Sequence, residues 1–242
     1  MPEDYRPINN LPVLEKVLEL IIIDQLKEFL FENNVIANEQ HGFRANHSTE
    51  TALITLTDNV VQHLEESRVV ITVFLDFKRA FETIDRKILI DKLRKYNFSE
   101  ETCEWFRNFL SNRKQTVKLG DEFSEEVSVY IGVPQGSMIA NMLFVLYIND
   151  IVKSLKGCDI IMYSDDTSIS IASPDILKAA ELMNSALEKI SDWLKFNKIL
   201  LNVKKSKYMI FGAKGKTDIK LIIDKTEIEK VYEFRYLGVI VD

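Results

Sequence analysis

Cysteine is scarce in this chain, with two in 242 residues. Cys103 and Cys158 stand in unrelated contexts, without a CxxC spacing or a nearby histidine, which argues against a zinc site or a disulfide framework and fits a reducing compartment. No apolar run approaches the roughly 18 residues that would span a bilayer, so no membrane partner is expected. Met1-Pro2-Glu3-Asp4-Tyr5 lacks the basic-plus-apolar pattern of a leader. Internal repeats, low-complexity tracts and linkers are missing too. Positive charge is in deficit: 31 Lys and Arg against 37 Asp and Glu give a net charge of −6. What the chain does have is 46% hydrophobic content, enough at this length for a sizeable core in one or two domains.

The stretch from Ile160 to Ile171 sets two runs of β-favouring residues around Ser164-Asp165-Asp166, and reads as a hairpin with two carboxylates at its tip. Adjacent acids repel and resist burial, so such a tip either points into water or takes a cation. A third aspartate, Asp76, ends Val69-Val70-Ile71-Thr72-Val73-Phe74-Leu75, an almost wholly apolar run that suits a central strand covered on both faces. With that strand beside the hairpin, Asp76, Asp165 and Asp166 converge at one sheet edge. Hard oxygen ligands of this kind hold Mg²⁺ with waters and phosphates, and two ions about 3.5–4 Å apart clamp an in-line phosphoryl displacement.

Three segments in order, Phe74-Leu75-Asp76-Phe77-Lys78-Arg79-Ala80-Phe81, Gly132-Val133-Pro134-Gln135-Gly136-Ser137 and Tyr163-Ser164-Asp165-Asp166, resemble the motifs of the reverse transcriptases of non-LTR retrotransposons. The resemblance extends to Tyr5-Arg6-Pro7-Ile8, Gln40-His41-Gly42-Phe43-Arg44, Ser48-Thr49-Glu50, Tyr147-Ile148-Asn149-Asp150, Leu201-Asn202 through Lys205-Ser206 and Tyr236-Leu237-Gly238, and so covers nearly the whole chain. It implies an α+β polymerase right hand made of fingers and palm, with an antiparallel palm sheet, helices on one face and no thumb. Residues 1–68 would be fingers with a clipped start, 69–84 palm with the first aspartate, 85–131 a fingers/palm insertion, and 132–242 palm with the catalytic hairpin and a primer-grip-like hairpin.

The implied activity is RNA-directed DNA polymerisation, with an RNA template, a DNA primer and dNTPs as partners and two Mg²⁺ ions, or Mn²⁺ in their place, as cofactors. Asp76 and Asp165 would bind the ions, with Asp166 supporting the pair. Phe81 would pack under the incoming sugar, Gln135 and Gly136 would approach nucleotide and template, and Lys205 would assist the leaving pyrophosphate as a general acid. Arg6 and Arg44 are candidate triphosphate contacts, because a guanidinium fork matches phosphate oxygens; surface ion pairing is the alternative for each, core packing for Phe81 and an ordinary surface position for Lys205. The need to reach chromosomal DNA implies a nuclear location, although no basic localisation run is present. Three departures stand out: Ile139-Ala140-Asn141-Met142-Leu143 where Leu-Gly-Pro-Leu-Leu is usual, Glu82 for aspartate and Ser164 for alanine.

Local patterns fill in the elements. Leu11 to Phe31 reads as a helix with Pro12 at its start, an apolar stripe from Val13, Leu14, Val17, Leu18, Ile21, Ile22, Leu26, Phe29 and Leu30, and punctuating charges at Glu15, Lys16, Glu19 and Asp24. Ser48, Ser99 and Ser137 read as helix caps, Gln115–Leu119 with Val127–Ile131 as one hairpin, and Ile219–Ile223 with Tyr236–Val241 as the final one. Basic clusters at Lys78-Arg79, Arg86-Lys87, Lys92 to Lys95, Arg113-Lys114 with Lys118, and Lys204-Lys205 with Lys207 are the candidate phosphate contacts that a net-acidic chain needs for nucleic acid, and solvated faces otherwise. Two rival readings stay open: a truncated, catalytically silent remnant acting at most as a binding module, and another palm-type enzyme such as a nucleotide cyclase, against which the Gly-Val-Pro-Gln-Gly segment speaks.

Overall fold

A computed structural model describes residues 9–213 and 218–242. Arg6, with the Tyr5–Ile8 motif, lies outside the described residues. The chain forms two compact units: the described residues through Val35 with Phe81–Tyr147, and Ile36–Ala80 with Ile148–Asp242.

The second unit is built on β1 (Val69–Leu75), whose residues from Val70 onward are all buried. Short β2 (Phe77–Lys78) follows it directly. After β3 to β6, which belong to the first unit, come β7 (Asp159–Tyr163), β8 (Asp166–Ser173), β9 (Leu200–Leu201) and β10 (Lys207–Phe211), then β11 (Ile222–Ile223), β12 (Thr226–Glu227), β13 (Glu229–Lys230), β14 (Phe234–Tyr236) and β15 (Val239–Val241). The main sheet has the order β13-β10-β1-β8-β7, which puts β1 at its centre. Its pairings are antiparallel except at the β13 edge, where Lys207 and Glu229 stand opposite in parallel register.

Helix α2 (Thr49–Glu65) starts at Ser48, which accepts from the Thr51 amide while Thr51 caps the Ser48 N–H in return. Its Ala52, Leu56 and Val60 pack on Val70, Phe74, Ile161, Met209 and Tyr236. Those β1 residues share one parity, hence one face. Ile71, Val73 and Leu75 on the opposite face are equally buried, and there α6 (Ile176–Phe196) packs on β1 and β8. Helices therefore cover both faces, not the one expected, as an apolar run unbroken by alternation requires.

The expected closing hairpin is instead two separate ones. β11 pairs with β12, and β14 with β15. The reason is local: Asp224-Lys225 and Leu237-Gly238 both take positive φ, the two-residue turn geometry that reverses a twisted strand at once.

The first unit holds α1 (Val13–Glu32), α3 (Arg86–Lys95), α4 (Glu100–Leu110) and α5 (Met138–Ile148), with β3 (Arg113–Gln115), β4 (Lys118–Leu119), β5 (Glu122–Phe123) and β6 (Val127–Val129). The expected 115–131 hairpin is split into two short pairs, β3 with β6 and β4 with β5. Helix α1 forms as expected but turns differently. Its buried seam is Glu19, Ile23, Leu26 and Leu30, whereas Val13, Leu14, Val17, Leu18 and Ile21 are at least half exposed or nearly so. A helix apolar on most sides carries no periodic signal strong enough to fix its rotation.

Candidate active site

Antiparallel register brings the three aspartates to one end of the main sheet. Leu75 stands opposite Thr167, the last paired residues of β1 and β8, so Asp76 and Asp166 are the next residues outward on the two strands. Tyr163 pairs with Asp166 and leaves Ser164 and Asp165 as a two-residue loop. Ser164 has φ +57°, the left-handed conformation that a loop of this length demands at its first position. Asp76 and Asp165 are half-buried and Asp166 is exposed. The donors are carboxylate oxygens suited to a hard divalent cation. Among the described residues, however, no three His, Cys, Asp or Glu groups gather closely enough to hold a metal ion, so the shared sheet end is a fact of the backbone and not of converged side chains.

Two further segments build this end. The backbone of Asp76 is held by the turn after β9: its N–H donates to Ser206 Oγ at 3.1 Å, and its carbonyl accepts from Asn202 N at 2.8 Å. β2 pairs with β9, placing Lys78 opposite Leu200. The exposed Lys78, Lys204 and Lys205 therefore flank the Asp76 segment. The hairpin tip is braced from another direction by Gln40-His41-Gly42. His41 N donates to Met162 O at 2.7 Å and Met162 N to Glu39 O at 2.8 Å. Gln40, fully buried, uses Oε1 to accept from both Gly42 N (2.7 Å) and Ser164 N (3.1 Å). A Cβ on Gly42 would lie 2.4 Å from Ser164 N, so only glycine permits this approach. The bracing role of Gln40 and Gly42 is not legible from their spacing, although a glycine inside a motif is a standing signal of close backbone approach.

Arg44 belongs to the same unit, and its guanidinium donates to Ala37 O, Asn38 O and Asn38 Oδ1 at 3.2–3.3 Å. His41 accepts or donates at Nδ1 to Thr51 Oγ1, 2.9 Å away; burial, then the nearby His47 and Arg44, hold its pKa below the ordinary 6.5. Tyr236 lies under the sheet against Phe74, ring centroids 5.0 Å apart. Burial first, and the Asp166 charge as well, push its phenol far above the ordinary value, so it stays protonated.

Phe81, Gln135 and Gly136 belong to the other unit. Phe81 is half-buried and stacks on Phe144 at 4.6 Å. Gly132 has φ +77°, and a Cβ there would lie 2.7 Å from Glu82 O, which ties the loop start to the Phe81 turn. Val133 N donates to Phe81 O at 2.9 Å. Arg86 closes the loop from outside, donating to Gly132 O (2.9 Å), Val129 O (3.0 Å) and Ile131 O (3.3 Å). Burial and then Arg113 lower its pKa, yet the guanidinium keeps its charge. Gln135 O accepts from Asn9 N at 2.9 Å, and Ser137 caps α5 through Ala140 N at 3.1 Å.

Several basic clusters are committed internally. Arg86 holds the loop just described; Lys92 is buried with Nζ on Tyr147 O at 2.5 Å; Arg94 grips Glu100 and Asp91; Arg113 pairs with Glu15 and Lys114 with Glu126. Arg86 and Lys92 are thereby taken up by carbonyl groups inside the protein, whereas the Arg94 and Lys114 pairs lie at the surface.

Comparison with known proteins agrees with this architecture. The apo telomerase of Candida tropicalis truncated from its C-terminal domain superposes with a TM-score of 0.59 at 13% identity, over 83% of this chain and 42% of that one, which defines a right-hand polymerase fold. The family model for reverse transcriptase (RNA-dependent DNA polymerase) matches residues 2–241, and the chain belongs to that family. Among curated relatives, the probable RNA-directed DNA polymerase from transposon X-element of Drosophila melanogaster is 27% identical over 100% of this chain. The RNA-directed DNA polymerase from mobile element jockey of Drosophila funebris is 26% identical over 99% of it. The chain spans 27% of the length of each of these two relatives.

Proposed function

We propose that this chain is the fingers-and-palm part of an RNA-directed DNA polymerase that extends a DNA primer on an RNA template with dNTPs. The observation that carries the reading is the register of β1, β7 and β8, which sets Asp76 beside the Ser164-Asp165 turn and Asp166. In this reading Asp76 and Asp165 hold two Mg²⁺ ions, Mn²⁺ being able to replace them, and Asp166 adds negative charge beside them. When bound, the ions activate the primer 3′-hydroxyl and neutralise the triphosphate. The chain's own part is positioning. The Gln40–Gly42 brace and the Asn202–Ser206 turn fix the backbone of the aspartates; Phe81 packs beneath the sugar, Gln135 and Gly136 meet nucleotide and template, and the exposed Lys205 donates a proton to the leaving pyrophosphate. Arg44 reaches the triphosphate only by releasing its carbonyl partners at Ala37 and Asn38. Work on chromosomal DNA would place the protein in the nucleus.

Primer extension on poly(rA)·oligo(dT) with Mg²⁺ tests the reading. Wild type should extend, and the Asp165→Asn, Asp166→Asn double variant should lose on the order of 10³-fold in rate while melting at the same temperature; equal extension by both would refute it.

A further inference from the structure

Helix α5 opens at Met138, where the first amides of a helix have no partner inside it and carry the positive end of its dipole. Such an end commonly receives a bound anion. Here a side chain from α1 supplies it. Glu19 Oε2 accepts from Met138 N at 3.0 Å, and Glu19 Oε1 accepts from the Ser137 hydroxyl at 2.5 Å, while Ser137 Oγ in turn accepts from Ala140 N. Glu19 is 2% exposed and Ser137 0%. A carboxyl group at such depth is costly unless its oxygens are hydrogen-bonded, and a leucine would suit the Ile23, Leu26 and Leu30 seam at less cost. The carboxylate thus has a use that packing does not supply.

What it fixes is the end of the Gly132–Ser137 loop. Arg86 and Gly132 secure that loop's beginning, Asn9 takes the carbonyl of Gln135, and Gly136, at φ +107°, leads straight into the serine that Glu19 holds. We propose that Glu19 is a positioning residue: through Ser137 and Met138 it sets the placement of Gln135 and Gly136 for nucleotide and template. This rests on the role proposed above for those two residues.

The test compares wild type with Glu19→Gln and Glu19→Ala by hydrogen exchange and by steady-state primer extension, with Asp76→Asn as the control for the polymerase reading. Glu19→Ala should lose amide protection confined to residues 132–140, and its KM for dNTP should rise about tenfold with kcat within about threefold. Glu19→Gln, which keeps one acceptor and the shape, should restore both readouts to within about threefold of wild type. If Glu19→Ala fails to fold, Ser137→Ala breaks the same bridge at its surface-independent end and should raise KM by about threefold. Unchanged protection of 132–140, or lost protection with unchanged KM, overturns the proposal. Were wild type and Asp76→Asn to extend equally, the polymerase reading itself would fall and take the proposal with it, while the exchange data would still show whether Glu19 holds the loop.

Discussion

The two units each present a loop clamped by residues distant in sequence, but with opposite chemistry. The Ser164-Asp165 turn is held by neutral groups: the Gln40 amide, the backbone of Glu39 and His41, and the absence of a side chain at Gly42. The Gly132–Ser137 loop is held by residues of the charged types, Arg86 on its carbonyls and Glu19 at its helical end. The difference follows from what each loop carries. A turn bearing two carboxylates would have its electrostatics distorted by a charged clamp, whereas a loop of backbone and amide groups can lean on full charges, whose hydrogen bonds are the stronger kind.

That contrast can be broken by substitution. Removing a charged clamp should cost most: Arg86→Leu leaves three carbonyls without their donor and should lower stability by about 3 kcal/mol, read by urea unfolding. A cost no larger than that of a neutral clamp would end the contrast. Gly42→Ala forces a Cβ against Ser164 N and should destabilise by about 2 kcal/mol, with a larger fractional loss of primer extension than Arg86→Leu shows at matched stability. Ser164→Gly acts in the other direction. Relief of the left-handed backbone at the tip should stabilise by about 1 kcal/mol, and a loss of stability would mean that the serine hydroxyl contributes more than the strain costs.

The smallest effect concerns pH. Because burial lowers the pKa of His41 below 6.5, the unfolded chain binds a proton that the folded chain resists, so its contribution to stability is full above 6.5 and fades as pH falls through the folded value. Melting temperatures from pH 8 to pH 5 should therefore fall more steeply for wild type than for His41→Gln; parallel curves would show that protonation of the His41 ring costs the fold nothing.

Much of this was open to inspection of the chain. β1 declares itself by an apolar run ending in acid, and α2 and α4 by serine caps, since strand propensity and capping act within a few residues. The motif order carries the family. Glu19 was hidden, because an acid among apolar helical residues has the same look whether it meets water or a buried serine, and α1 gave no rotation signal to decide between them. Arg86 and Lys92 were hidden for the same reason: a lysine or arginine in a basic cluster does not announce a carbonyl partner dozens of residues away. The closing segment misled by length alone, two short hairpins being indistinguishable from one long one until the positive-φ turns are seen.

By itself, then, the sequence determined the central strand, most of the helices and the family, because those depend on local propensity and on residue types in order. Tertiary structure alone decided which face α1 buries, which charges are clamps and which are solvated, and that Asp76 and Asp166 come to the same end of the sheet. Those outcomes depend on pairing and desolvation between segments far apart in the chain, where one-dimensional spacing holds no record of distance.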